Sequence, residues 1–259
     1  MKLYLEEKHV LISGGSRGIG YACARAFLEE GSIVTILARN SVTLNDAVQS
    51  LSDKFPGQIH GLIVDVSDSV SVARCFSLLP LLPDILVNCA GSANRSPTHQ
   101  LSTIHWQQAM KDKLTTYLNT MELFLKLSVA RGNGTIVNVI GIGGKIPAKN
   151  HVPGCAMNAA LMSATVAFAS ESAKLGIRVN GVNPALTYTD KAKQFFQFEA
   201  DSTGKPITEI YDTELEKFPM GEFVTLDTVA NTVLFLSSES SRSINGTIIT
   251  IDGARSPMI

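Results

Sequence analysis

The stretch Ser13-Gly14-Gly15-Ser16-Arg17-Gly18-Ile19-Gly20 decides how this chain is read. The apolar run His9-Val10-Leu11-Ile12-Ser13 leads into it, and Tyr21–Glu30, rich in Ala and Glu at helical spacing, leads out. Glycines placed between a strand and a helix allow a tight turn and a close approach of backbone to a pyrophosphate. The exposed N–H groups and positive dipole end of the helix then meet its charge. Gly14, Ser16, Arg17, Gly18, Ile19 and Gly20 are therefore predicted nucleotide contacts.

Outward from that turn, β-rich apolar runs alternate with helix-length segments. His9–Ser13, Ile33–Leu37, His60–Val64, Ile85–Val87, Thr135–Val139, Arg178–Val182 and Thr247–Ile251 are predicted strands. Tyr21–Glu30, Thr43–Lys54, Trp106–Lys126 and Ala159–Lys174 are predicted helices. Strands that alternate with helices imply parallel pairing through right-handed crossovers. The predicted fold class is α/β, a doubly wound seven-stranded parallel sheet of Rossmann type with helices on both faces. No repeat, low-complexity tract or linker divides the chain, so residues 1–259 read as one domain. An irregular insertion at about 187–219, with Phe195, Phe196 and Phe198 close together, reads either as a lid over a ligand site or as a helical decoration for oligomer packing.

With 45% hydrophobic and 17% charged residues, the chain has the composition of a compact domain with a buried parallel sheet. A formal net charge of −1 gives no electrostatic reason to expect nucleic acid or an anionic membrane as a partner. Cys23, Cys75, Cys89 and Cys155 are scattered without a C-x-x-C pair, so neither a metal site nor a disulfide framework is expected. With no apolar leader in residues 1–8 and no stretch approaching a membrane span, a cytoplasmic location is the expectation.

The second strand ends in Ala38-Arg39-Asn40. A site for NAD(H) often places a carboxylate there, against the ribose 2′-hydroxyl. Ala38 supplies none, and Arg39 and Arg17 can hold a 2′-phosphate by charge-assisted hydrogen bonds. NADP(H) is thus favoured over NAD(H), although Arg39 also fits a solvated strand end.

These motifs, in this order, make the chain resemble the short-chain dehydrogenase/reductase family over nearly its whole length. The glycine turn comes first. Asp65-Val66 resembles the adenine-contacting pair, and Asn88-Cys89-Ala90-Gly91 the turn after the fourth strand. Asn183-Pro184-Ala185 stands for the family's Pro-Gly turn, and Thr189 for the threonine that contacts the nicotinamide amide. Ile244-Asn245-Gly246 and Asp252-Gly253 resemble its C-terminal ending. The resemblance implies cofactor contacts at Asp65, Val66, Asn88, Ala90, Gly91, Pro184 and Thr189. It also implies a homodimer or homotetramer packed through the helices that carry Tyr117 and Ala160 and through the last strand.

The family's reaction uses a tyrosine acid/base, a lysine four residues later that lowers its pKa, a serine that orients the carbonyl and an asparagine that holds a relay water. The resemblance maps these onto Gly154, Asn158, Gly141 and Lys113 respectively, so all four are changed. Lys113 and Asn158 look exchanged, and Lys113 is expected to keep a positive charge near the ribose. Tyr188 and Lys113 are the candidate replacements for the missing acid; the catalytic residues are otherwise unknown. Tyr117 can either enter the cavity or pack against a helix. His151 and Cys155, four apart, admit a Cys–His pair, while Cys155 fits equally a small buried hydrophobe; Lys145 is a further base or a solvated loop residue.

Three functions stay open. One is an NADP(H)-dependent oxidoreductase that works without the standard tyrosine and lysine. Another is a catalytically inactive homologue that binds nucleotide or another small-molecule ligand, alone or in a mixed oligomer with an active homologue. The last is a non-redox lyase or isomerase on the same scaffold.

Overall fold

The computed structural model describes residues 2–256. Its strands are β1 (His9–Ser13), β2 (Ile33–Ala38), β3 (Ile59–Ile63), β4 (Ile85–Asn88), β5 (Gly134–Val139), β6 (Ile177–Pro184) and β7 (Ile248–Ile251). They form one parallel seven-stranded sheet in the order β3-β2-β1-β4-β5-β6-β7. This is the doubly wound α/β architecture expected from the alternation. The predicted strand ends agree to within one residue, except at β6, which runs on to Pro184 because its pairing with β7 continues to Ile251.

The helices are α1 (Gly18–Glu29), α2 (Ser41–Ser52), α3 (Ser69–Leu78), α4 (Thr103–Ala109), α5 (Thr116–Val129), α6 (Val152–Ser172), α7 (Asp190–Thr203), α8 (Ile207–Leu215) and α9 (Leu226–Ser237). Asn40, Asp68 and Thr225 accept from backbone N–H groups at the starts of α2, α3 and α9, which fixes where those helices begin. The single helix expected from Trp106 to Lys126 is α4 and α5 joined through a π-helical segment, Met110–Thr115, which carries Lys113 inward. π-helical segments of this kind are frequent at functional sites.

Strands at the sheet centre are buried on both faces, as at β1, where every residue is buried. Phe27 of α1 and Val233 of α9 belong to the core on one face, and Phe76 of α3 and Phe124 of α5 to the core on the other. Phe27 and Phe124, each fully buried, contribute about 2–3 kcal/mol apiece. Helix α6 is rich in apolar residues, with mean hydropathy 1.4 over its most apolar 18-residue stretch, and packs on β6.

Strand order reverses between β1 and β4, so a crevice opens beyond their carboxyl ends, where open α/β sheets bind ligands. The insertion at 187–219 folds mainly as α7 and α8, around an aromatic cluster. The Tyr211 ring stands edge-on to Phe223 at 5.1 Å, and Phe218 edge-on to Phe223 at 5.2 Å. A bridge between Thr187 and Val224 closes its base.

Candidate functional site

The β1–α1 turn is shaped for close approach. Gly14 has φ +72°, and a Cβ added there would lie 2.8 Å from the Ala90 nitrogen. At Gly20 an added Cβ would lie 2.2 Å from the Gly14 carbonyl oxygen, so any side chain there would push the turn open. Arg17 is the N-cap of α1 yet makes no side-chain cap, and the first turn holds no acid. The helix end therefore keeps its N–H groups for a ligand. Arg17 and Arg39 are exposed and, among the described residues, make no ion pair. These features fit a dinucleotide phosphate.

Ser16, Gly18 and Ile19 complete that turn; Thr189 lies across it, its Cγ2 3.5 Å from where a Gly18 Cβ would be. Asp65 accepts from the backbone N–H (3.0 Å) and hydroxyl (2.8 Å) of Ser67 and so holds the turn after β3, with Val66 buried beside it. Ala90 and Gly91 form the opposite wall, and Pro184 ends β6, buried.

Asn88 takes a different part. It is fully buried, its oxygen accepting from Ser13 (3.2 Å) and Thr120 (2.8 Å) and its amide donating to Asn138 (3.0 Å). Asn138 donates in turn to Thr165 at 3.0 Å. This buried ladder ties β1, β4, β5, α5 and α6 together beneath the crevice. The Asn88 side chain bonds within this ladder, and Ser13 Oγ, which donates to it, accepts from the Cys89 and Ala90 N–H groups at 3.3 Å.

Beside the crevice lies a second polar cluster. Lys113 is buried, and its Nζ donates to the Tyr117 hydroxyl at 3.2 Å and to the Ile140 carbonyl at 3.0 Å. Tyr117, fully buried, donates to the Val139 carbonyl. Burial first, then the neighbouring Lys191, lowers the Lys113 pKa to about 7. Burial pushes the Tyr117 phenol well above its ordinary value, so it acts as a neutral hydrogen-bonding group. The Lys113 ammonium is thus held at the end of β5.

Gly141 follows with φ +115°, and the Asn158 amide lies 3.5 Å from its carbonyl oxygen. Asn158 is buried on α6, and its own side-chain oxygen has no partner. A Cβ added at Gly154 would lie 2.3 Å from Nε2 of His151, so the imidazole fills the space a side chain at Gly154 would enter. Burial, with Arg95 and Lys113 nearby, lowers the His151 pKa to about 4 against an opposing pull from the Asn94 backbone.

The Cys–His pair admitted by the sequence does not form. Among the described residues His151 makes no bond to Cys155, whose Sγ instead accepts from the Ala148 backbone at 3.3 Å. Residue 151 is the N-cap of α6 and adopts a non-helical backbone, which removes the helical i, i+4 alignment. Lys145 donates to Thr250 at 3.0 Å in an exposed position. Tyr188 is 52% exposed and packs edge-on to Tyr211, outside the polar cluster.

Sequence reasoning missed two participants. Lys191 of α7 donates to the Gly91 carbonyl at 2.9 Å. Arg95 donates to the Lys149 carbonyl at 3.2 Å and stacks over Phe195 at 4.5 Å. Neither belongs to a motif; both come into view only when α7 folds back over the crevice.

Fold and glycine turn together are those of the Rossmann-type dinucleotide-binding class. The model of a family described as enoyl-(acyl carrier protein) reductase matches residues 14–254. A 3-oxoacyl-[acyl-carrier-protein] reductase from Aquifex aeolicus is 30% identical, over 98% of this chain and 99% of its own. The solved L-sorbose reductase from Gluconobacter frateurii, complexed with NADPH and L-sorbose, superposes with a TM-score of 0.92 at 26% identity, over 100% of both chains. An actinorhodin polyketide ketoreductase variant with NADPH gives 0.91 at 25% identity, covering 99% of this chain and 100% of its own. The chain belongs to the short-chain dehydrogenase/reductase family.

Proposed function

We propose that this chain is an NADP(H)-binding oxidoreductase-type member of the family that works without the standard tyrosine–lysine pair. The observation that carries the reading is the Gly14–Gly20 cradle at an uncapped helix end, flanked by the unpaired Arg17 and Arg39. Arg39 beside Ala38 would meet a 2′-phosphate, and Arg17 with the α1 N–H groups would meet the pyrophosphate. Thr189, Pro184, Asp65 and Gly91 would border the rest of the dinucleotide. The bound cofactor supplies the hydride.

With glycine at 141 and 154, asparagine at 158 and lysine at 113, no phenol–ammonium pair is present at the family positions. Lys113 is the better placed of the two candidate acids. Its pKa of about 7 populates ammonium and amine together near neutrality, which suits proton transfer in either direction. Tyr188, exposed and packed edge-on to Tyr211, is the weaker candidate.

The inactive-homologue reading draws on the His151 ring over Gly154, because it fills the volume a catalytic side chain would use. The non-redox reading draws on Lys113, since a partly neutral buried amine also serves elimination and isomerisation. Small-molecule ligand or substrate, homodimer or homotetramer and a cytoplasmic setting complete the proposal. Exposed apolar residues on α5 (Leu127, Val129) and α6 (Val166), with a half-buried β7, support the assembly.

Calorimetric titration with NADPH and NADH, followed by a carbonyl screen read as loss of the reduced-nicotinamide absorbance, tests this function. NADPH bound in preference to NADH and consumed with at least one carbonyl is the expected result. Tight binding without consumption selects the inactive homologue, and no binding of either nucleotide refutes the proposal.

A further inference from the structure

We propose that Lys191 is a phosphate-binding cation of the nucleotide crevice and the latch that holds α7 across it, a role that rests on the dinucleotide reading above. Lys191 is the second residue of α7, and its ammonium spans the crevice to the Gly91 carbonyl at 2.9 Å, on the wall opposite the glycine turn. Thr189, two residues earlier, is set against Gly18. One short segment therefore touches both walls, Gly18 of the β1–α1 turn and Gly91 of the turn after β4.

The surroundings of that ammonium are cationic. Arg17 and Lys113 both lie close enough to act on it or be acted on by it: Arg17 lowers the Lys191 pKa, and Lys191 lowers that of Lys113. No carboxylate lies within ion-pair distance of Lys191 among the described residues. The Lys191 side chain is exposed at the crevice mouth, and its one hydrogen-bond partner among the described residues is the neutral Gly91 carbonyl, which leaves its charge free for an anion. An anion seated between Arg17, the α1 N–H groups and Lys191 would answer all three charges at once. The pyrophosphate of a dinucleotide has that chemistry, whereas the 2′-phosphate belongs at Arg39, beyond the end of β2. Binding would exchange the Lys191–Gly91 bond for a Lys191–phosphate bond and keep α7 in place.

The test uses three probes on the full chain: NADPH, ADP-ribose, which has the pyrophosphate without the 2′-phosphate, and 2′-AMP, which has the reverse. Lys191→Met is expected to raise the Kd for NADPH and ADP-ribose about tenfold, as for loss of one charge-assisted hydrogen bond, and to leave 2′-AMP unchanged. Lys191→Arg is expected to retain most of the affinity. Hydrogen exchange of residues 190–203 without ligand should be faster in Lys191→Met than in the parent. Should the methionine variant fail to melt cooperatively, Lys191→Gln carries the same comparison. Unchanged ADP-ribose affinity in a folded variant overturns the role of Lys191 and leaves the dinucleotide reading standing; a parent chain that binds none of the probes overturns both.

Discussion

Replacing Lys113 by methionine changes the pH dependence of stability in a direction and by an amount that the structure specifies. The ammonium is fully buried, and its pKa falls from 10.5 in the unfolded chain to about 7 in the fold. Between those values the unfolded state binds a proton that the folded state does not, so stability rises with pH across that window. Below the folded pKa both states are charged and the whole desolvation penalty is present; above the unfolded pKa it is gone. The slope inside the window is about 1.4 kcal/mol per pH unit, so from about pH 6 to about pH 9 the parent gains roughly 2–3 kcal/mol from this group alone. Lys113→Met has no such group. It also leaves the Ile140 carbonyl without its donor, a pH-independent loss of about 1–3 kcal/mol. Urea unfolding of both proteins at matched ionic strength should therefore show the methionine variant closest to, or above, the parent at the acid end and falling behind by that 2–3 kcal/mol at the alkaline end. Curves that stay parallel from about pH 6 to about pH 9 would refute the desolvated ammonium, and with it Lys113 as an acid/base near neutrality.

Gly20→Ala should abolish nucleotide binding measured by calorimetry, since its Cβ would collide with the Gly14 carbonyl at 2.2 Å. Arg39→Asp should weaken NADPH more than NADH and reverse the preference, read from the ratio of the two dissociation constants. Asn88→Ala should lower stability by about 2–4 kcal/mol in chemical denaturation, because it leaves Ser13, Thr120 and Asn138 buried with fewer partners. Gly154→Tyr should lower the melting temperature when introduced alone and recover when His151→Ala is added, because the imidazole holds the space.

What was legible in the sequence and what was not divide along a physical line. The inner strands announce themselves because a strand buried on both faces is a continuous apolar run, the edge strands β3 and β7 through their β-branched residues and spacing, and the glycine turn because its backbone excludes side chains. Lys113 was legible as an anomaly, a lysine where the family resemblance expects an asparagine, but its direction was not. The π-helical segment at Met110–Thr115 turns it toward Ile140, and no propensity marks that one-residue widening. His151 was paired on paper with Cys155 by helical spacing, yet it is the N-cap residue, where helical spacing does not apply. Asn88 was legible as a motif residue, while its use in a buried ladder depends on Thr120 and Asn138, far away in the chain. Lys191 and Arg95 depend on where α7 lands, a tertiary matter with no local signal.

The altered cluster is built consistently, which separates it from a site that has only lost side chains. Gly141 holds φ +115°, a conformation that would strain a serine, so the backbone there has settled into a shape suited to glycine. Gly154 admits the His151 ring, and a side chain at 154 would require that ring to move. Asn158 reaches the Gly141 carbonyl, while Lys113 engages Ile140 one residue earlier. Residues 113, 141, 154 and 158 thus each make a specific contact with a neighbour within the cluster. Returning serine, tyrosine and lysine to 141, 154 and 158 together would set a strained φ, a collision with His151 and a second buried cation near Lys113 against one another. The proposal that this chain works without the standard pair therefore predicts that restoring the ordinary route requires changing the residues around those positions too, His151 first.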